Sequence, residues 1–243
     1  MTLRLFCPPP LALGAELMLP PQAAHHAVRV LRLRVGDALT LFDGQGAEYG
    51  AEIARVAPRA VTVRLLERRA VERESPLGFT LVQGLIAAER MDYVVQKAVE
   101  LGASAIVPVS TARSVTRLEG ARAQRRLEHW QQVIVASCEQ CGRNRLARID
   151  APCELRQWLL QPSEAALRLL LAPEAGLPLG TLGAPDGSVE ILVGPEGGFE
   201  AEEQAQALEA GFQATRLGPR VLRTETAGPA ALAALNALWG DWR

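Results

Sequence analysis

The chain has 243 residues, with 26 Lys+Arg against 27 Asp+Glu for a formal net charge of −1, and it is 49% hydrophobic and 22% charged. That hydrophobicity at so low a net charge excludes a disordered chain, and no uncharged apolar run approaches the length of a membrane span, so one or two globular domains without membrane association are expected. Residues 1–10 carry Arg4 and three prolines in place of the apolar stretch of a secretory signal, and four cysteines are too few for a disulfide scaffold, so a cytoplasmic protein with reduced thiols is expected.

In chain order, residues 39–43, 48–56 and 60–66 are short apolar alternations bounded by turn residues, with Asp43-Gly44-Gln45-Gly46 as a hairpin signal, and they predict a small β-barrel domain over residues 1–72. Residues 71–76 are polar and read as a linker. Beyond them the hydrophobic period changes from two to 3.6. A strand is predicted over 79–86, then a helix that buries Met91, Val94, Val95, Ala98 and Val99 and ends at Gly102, then a strand over 105–109. Ala123, Leu127, Trp130, Ile134, Cys138 and Cys141 recur at spacings of four and three and predict a long helix to about Gly142. Strands over 167–172, 189–193 and 213–217, with helices over 200–210 and about 226–239, complete an α/β domain over 73–243. Repeated β-α-β with apolar strands argues for a parallel sheet covered on both faces.

Ligands of open parallel sheets collect outside the carboxyl ends of the strands. Three loops leave that edge and form the candidate cofactor pocket. The first holds Leu171 and Ala172, ahead of Pro173-Glu174, and the second is Gly194-Pro195-Glu196-Gly197-Gly198. The third runs from Leu217 and Gly218 through Val221 and Leu222 to Thr226 and Ala227. Gly197 and Gly198 lack Cβ atoms, so a flat ligand can approach the backbone. ATP and dinucleotide fingerprints are absent, and the single lysine, Lys97, lies mid-helix. Glu200, Glu202 and Glu203 open the helix after the glycines and disfavour a phosphate there, so a neutral or cationic ligand such as S-adenosylmethionine fits better.

Charge is unevenly placed: +3 over residues 1–70, +2 over 71–150 and −6 over 151–243, with eight arginines against three glutamates between 113 and 148. This segment reads either as an RNA-facing surface, because the arginine fork binds two phosphate oxygens at once, or as a solvated helix face. Candidate RNA contacts are His26, Arg29 and Arg32 in the first domain, and Arg113, Arg125, Arg126 and Arg145 beyond it. Cys138 and Cys141, with Cys153 and His129 near in sequence, have no second ligand pair, so packing rather than zinc is expected and no metal is assigned. His25 and His26 lack the context of a hydrolytic triad.

The run Gly194-Pro195-Glu196-Gly197-Gly198, the run from Leu217 to Thr226, and Cys138-Glu139-Gln140-Cys141-Gly142-Arg143-Asn144-Arg145 together resemble the ribosomal RNA small subunit methyltransferase E family. So do Arg90-Met91-Asp92, Gln96-Lys97-Ala98-Val99-Glu100-Leu101-Gly102 and, nearer the start, His26, Val30-Leu31-Arg32, Gly36-Asp37 and Leu41-Phe42-Asp43-Gly44. The sequence departs from the family at Ala87 and Ala88, where a basic residue is frequent, and at Ala147, near a frequent proline. The resemblance implies a PUA-like β-barrel followed by a SPOUT α/β domain with a C-terminal trefoil knot. It further implies a homodimer that methylates uridine N3 in 16S rRNA, either as naked RNA or in the assembled small ribosomal subunit, using S-adenosylmethionine.

Uracil N3 carries a proton and is a poor nucleophile until that proton leaves. A carboxylate, Glu225 or Glu139, could take it, although an ordinary Glu is an inefficient base for so weak an acid. Arg223 or Arg143 could instead hold the carbonyl oxygens and stabilise the anion, and arginine stabilisation with a carboxylate assisting is the expectation. Arg223 and Glu225 could also be no more than an ion pair at a helix start. A non-enzymatic RNA-binding protein, or another SPOUT methyltransferase acting on tRNA or a ribose 2′-hydroxyl, remain the alternatives.

Overall fold

A computed structural model describes residues 3–57 and 60–242, without the side chains of Arg29 and Val30. The chain forms two compact units, Met1–Glu74 with Val135–Leu146, and Ser75–Ile134 with Ala147–Arg243.

The first unit is built on β1 (Arg4–Phe6), β2 (Glu16–Met18), α1 (Pro21–His25), β3 (Ala38–Phe42), β4 (Ala47–Ala57) and β5 (Ala60–Ala70). They form one sheet in the order β1-β3-β4-β5-β2, with β1 parallel to β3 and the remaining pairs antiparallel. Alternation places Val61, Val63 and Leu65 of β5 inward, against Leu5, Leu39, Leu41 and Ile53. Outward-facing Arg64 bonds Glu16 at 2.6 Å and Glu52 at 3.3 Å across the sheet. The edge strands β1 and β2 have three residues each, too few to show a period.

Residues 135–146 belong to this unit, whereas a domain running unbroken from 73 to 243 would exclude them. The cause is polar. Gly46 N–H donates to Asn144 O at 3.1 Å, Arg145 Nη1 to Gln45 O at 2.7 Å and Asn144 Nδ2 to Val71 O at 2.9 Å, so backbone groups of the hairpin turn and of Val71, just after β5, find their partners in this segment. Such contacts leave no hydrophobic period in the sequence.

The second unit runs β6 (Phe79–Gly84), α2 (Ala88–Glu100), β7 (Ala103–Ser110), α3 (Gly120–Cys141), β8 (Arg148–Ile149), β9 (Cys153–Glu154), α4 (Leu155–Leu159), β10 (Leu167–Leu171), β11 (Leu177–Pro178), β12 (Val189–Val193), α5 (Ala201–Glu209), β13 (Gln213–Arg216) and α6 (Thr224–Trp239). Helix α3 leaves this unit after Ile134. The sheet order is β11-β13-β10-β12-β6-β7-β8 with β9 paired to β7, and every pair is parallel. Each central strand is buried on both faces. Val82, Val107, Leu170 and Leu192 pack with Leu155, Phe199, Ala207 and Phe212 of the α4 and α5 layer. Helices α2 and α6 pack together, with Val94, Val95, Leu232 and Leu235 fully buried. Among the described residues no helix is long and apolar enough to cross a membrane.

Candidate active site

The carboxyl ends of β10, β12 and β13 open into a cavity of about 660 Å³, within the roughly 300–1,000 Å³ usual for small-molecule sites. All three loops expected from the sequence line it. Leu171, Ala172, Gly194, Pro195, Glu196, Gly197, Gly198, Leu217, Gly218, Val221, Leu222 and Ala227 reach the cavity, whereas Thr226 is exposed on α6 outside it. Val221 is 78% exposed and stands at the mouth.

The middle loop is a tight turn in which Gly198 N–H donates to Pro195 O at 2.9 Å and Gly198 adopts φ +67°. A Cβ on Gly198 would meet no protein atom within 4 Å, so its missing side chain leaves space for a ligand. Gly197 answers to a different constraint. A Cβ there would fall 3.0 Å from Arg113 Cβ, because the Arg113 stem crosses the turn and its Nη1 bonds Gly197 O at 3.0 Å. Arg113, expected to meet RNA, thus also braces this turn and lines the cavity. Glu203 Oε2 accepts Glu200 N–H at 2.9 Å and its Oε1 accepts Ala112 N–H at 2.8 Å, so acidic side chains complete the start of α5.

Helix α6 begins at Thr224, two residues before the expected start, which places Arg223 at its N-cap and Glu225 in its first turn. Glu225 is 16% exposed. Its Oε1 lies 3.8 Å from Arg90 Nε and 4.0 Å from Arg223 Nη1, and its Oε2 is buried with no hydrogen-bond partner among the described residues. Arg223 is 77% exposed. Sequence reasoning does not single out Arg90 as a site residue, and its only signal is the Arg90-Met91-Asp92 run. In the structure it lines the cavity and bonds Glu196 at 3.1 Å as well as facing Glu225. Arg90, Arg113, Arg216, Arg220 and Arg223 line the cavity with Glu174, Glu196 and Glu225, and the two arginines from outside the net-acidic C-terminal part of the chain tip the balance towards cations.

Two expected catalytic residues do not line this cavity and belong to the first unit. Arg143 is 4% exposed and its Nε bonds both carboxylate oxygens of Glu74, at 3.0 and 3.1 Å, so it is a structural ion-pair partner. Glu139 Oε1 accepts Phe6 N–H at 3.0 Å, and burial pushes its carboxyl above the ordinary range. Cys138 is fully buried, its thiol pushed up to about 12 by burial, and packs in the same region.

The remaining expected RNA contacts are dispersed. Arg125 is exposed on α3, but Arg126 bonds Asp92 at 3.4 Å, which also receives His129 Nε2 at 2.8 Å and Trp130 Nε1 at 3.1 Å, clasping α2 to α3. Arg145 is half-exposed while bonding Gln45 O and Glu72. His26 and Arg32 are exposed, Arg32 at φ +58°, and the Arg29 side chain lies outside those described.

Residues 73–236 match the model of an RNA methyltransferase domain, and residues 19–66 that of an RNA methyltransferase PUA domain. The chain is 33% identical to a ribosomal RNA small subunit methyltransferase E of Mycobacterium bovis, over 94% of this chain and 89% of that protein. A Synechocystis protein of the same name is 33% identical over 98% of this chain and 78% of its own length. Among solved structures, a ribosomal RNA small subunit methyltransferase E from Neisseria gonorrhoeae, bound to S-adenosyl methionine, superposes with a TM-score of 0.93 at 38% identity, covering 100% of both chains.

Proposed function

Because the chain belongs to the ribosomal RNA small subunit methyltransferase E family, we propose that it transfers a methyl group from S-adenosylmethionine to N3 of a uridine in 16S ribosomal RNA, within the cavity at the ends of β10, β12 and β13. The observation that carries this reading is the meeting of the three loops with Glu225 Oε2, a buried acceptor without a donor among the described residues. The cavity's residues fit the methyl donor. Leu171, Leu217 and Leu222 offer apolar walls, Gly198 leaves the backbone open, and Glu174, Glu196 and Glu225 are the carboxylates available to the donor's positive charge. Bound there, S-adenosylmethionine supplies an electrophilic methyl group on a sulfonium.

Arg223 holds the uracil carbonyl oxygens and stabilises the anion left when the N3 proton departs. Glu225 receives that proton or the hydrogen bond that precedes its loss, through the oxygen that lacks a partner. Pro195 and Leu222 help keep water from the anion and cation, whose charges cancel as the methyl moves. The arginines at the mouth, with Arg125, Arg145, His26, Arg29 and Arg32, meet RNA phosphates. The enzyme is read as a cytoplasmic homodimer acting on 16S rRNA, free or in the small subunit. The family resemblance implies a trefoil knot in the C-terminal part of the α/β domain. Calorimetric titration with S-adenosylmethionine tests the pocket: one saturable site per chain is expected, and no heat from a folded protein would overturn the assignment.

A further inference from the structure

Between the 194–198 turn and the residues proposed for catalysis lies a buried polar chain that no motif identifies. Thr224 is 8% exposed, and its Oγ1 donates to Gly194 O at 2.6 Å and accepts from Gln83 Nε2 at 2.9 Å. Gln83, 0% exposed in β6, turns the same Nε2 to Gly84 O at 3.1 Å, and its Oε1 is left buried without a partner among the described residues. The two carbonyls set the directions. Each can only accept, so the Thr224 hydrogen goes to Gly194, and the Gln83 amide must present nitrogen to both Thr224 and Gly84. Buried polar atoms are almost always paired, so an unpaired amide oxygen kept in the core marks an orientation held for something besides stability. Space is equally tight: a Cβ on Gly84 would fall 2.7 Å from Pro195 N, so the end of β6 lies directly against the turn.

Resting on the function proposed above, we infer that Gln83 and Thr224 are positioning residues that lock the first turn of α6 in register with the 194–198 turn. Arg223 and Glu225 flank Thr224, so the register of this one hydroxyl sets where both side chains meet the methyl acceptor. The Thr224 hydrogen is committed to Gly194 and takes no part in the proton transfer.

The test compares Thr224→Val, which replaces the hydroxyl by a methyl group, with Thr224→Ser, which retains it. In the protein without cofactor, Thr224→Val should raise amide hydrogen exchange at residues 194–199 and 223–227 about tenfold or more while β7 and β12 exchange as in wild type, and Thr224→Ser should restore slow exchange. In single-turnover methylation, Thr224→Val should lower the rate about tenfold or more, Thr224→Ser should recover most of it, and Thr224→Val should cost less in an Arg223→Ala background than in wild type, the remainder acting through Glu225. Should Thr224→Val fail to fold, Gln83→Met, which removes the amide donors at similar length, carries the same expectations. Unchanged exchange and rate in Thr224→Val, or an equal additional loss in the Arg223→Ala background, would overturn the inference. A wild-type protein that methylates no RNA overturns the proposed function instead, and the exchange comparison then decides the positioning role by itself.

Discussion

At 77% exposure Arg223 can reach a substrate, while Glu225 at 16% offers a single confined oxygen, so the two side chains of one helix turn suit different tasks. A contact that strengthens as the uracil anion develops acts on the transition state, so Arg223→Ala should lower kcat about a hundredfold while changing cofactor affinity little. Single-turnover assays at saturating cofactor read this directly, and a near-normal kcat would leave Arg223 as an ion-pair partner of Glu225. Gly198→Val should weaken S-adenosylmethionine binding in calorimetry, because the new branch both enters the open space beside the backbone and strains a turn whose residue sits at φ +67°. Gly197→Ala should act differently, by displacing the Arg113 stem. The sequence suggested both glycines as open to a ligand, but a one-dimensional pattern carries no sign of the arginine whose stem crosses Gly197. Arg143 shows the same limit, since its basic run does not reveal the Glu74 carboxylate that occupies it.

At the scale of elements, α3 divides its arginines between packing and solvent. Arg126 is engaged with Asp92 and lies 6.0 Å from the Trp130 ring, whereas Arg122 and Arg125 are exposed. If the exposed pair meets RNA phosphates, Arg122→Glu with Arg125→Glu should reduce the slope of log K against log salt by about 1–2, and an unchanged slope would mark a solvated face. Arg126→Ala should instead lower stability modestly, by up to about 1 kcal/mol for a part-exposed pair, with little change in slope. The long helices and central strands were readable because their periods extend over several residues: Met91, Val94, Val95, Ala98 and Val99 all point into the core of α2. Two- and three-residue strands such as β1, β2, β8 and β11 are too short to repeat the alternation of two residues and could not be read. The start of α6 was placed late because Thr224 and Glu225 gain helical geometry from the contacts of Thr224, not from an apolar stripe.

Over the whole molecule, the first unit contains two carboxylates with opposite responses to pH, the buried Glu48 and the half-buried Glu139. Burial opposes the charge of Glu48, but hydrogen bonds from Arg4 at 2.7 Å and Arg73 at 3.0 Å outweigh it and hold the carboxyl below its ordinary range. Its stabilising contribution is present above the ordinary carboxylate value of 4.5 and is lost as pH falls through the lowered folded value. Glu139, raised by burial, contributes most below 4.5 and loses that contribution as pH rises through its folded value. Glu139→Gln should therefore gain Tm relative to wild type between about pH 4 and pH 7, while Glu48→Gln should lose it over the same interval, as thermal unfolding across pH will show. The two-domain layout was legible from the change of hydrophobic period, but the return of residues 135–146 to the first unit was not, because the period through Cys138 and Cys141 says only that this face is buried, not in which unit, and the hydrogen bonds of Asn144 and Arg145 leave no period. The central claim concerns one atom of one nucleobase. The most direct measurement is nucleoside mass spectrometry of small-subunit RNA after incubation with the protein and methyl-labelled S-adenosylmethionine: label in 3-methyluridine is the expected result, and label confined to a ribose 2′-oxygen or to tRNA, or none at all, would contradict it.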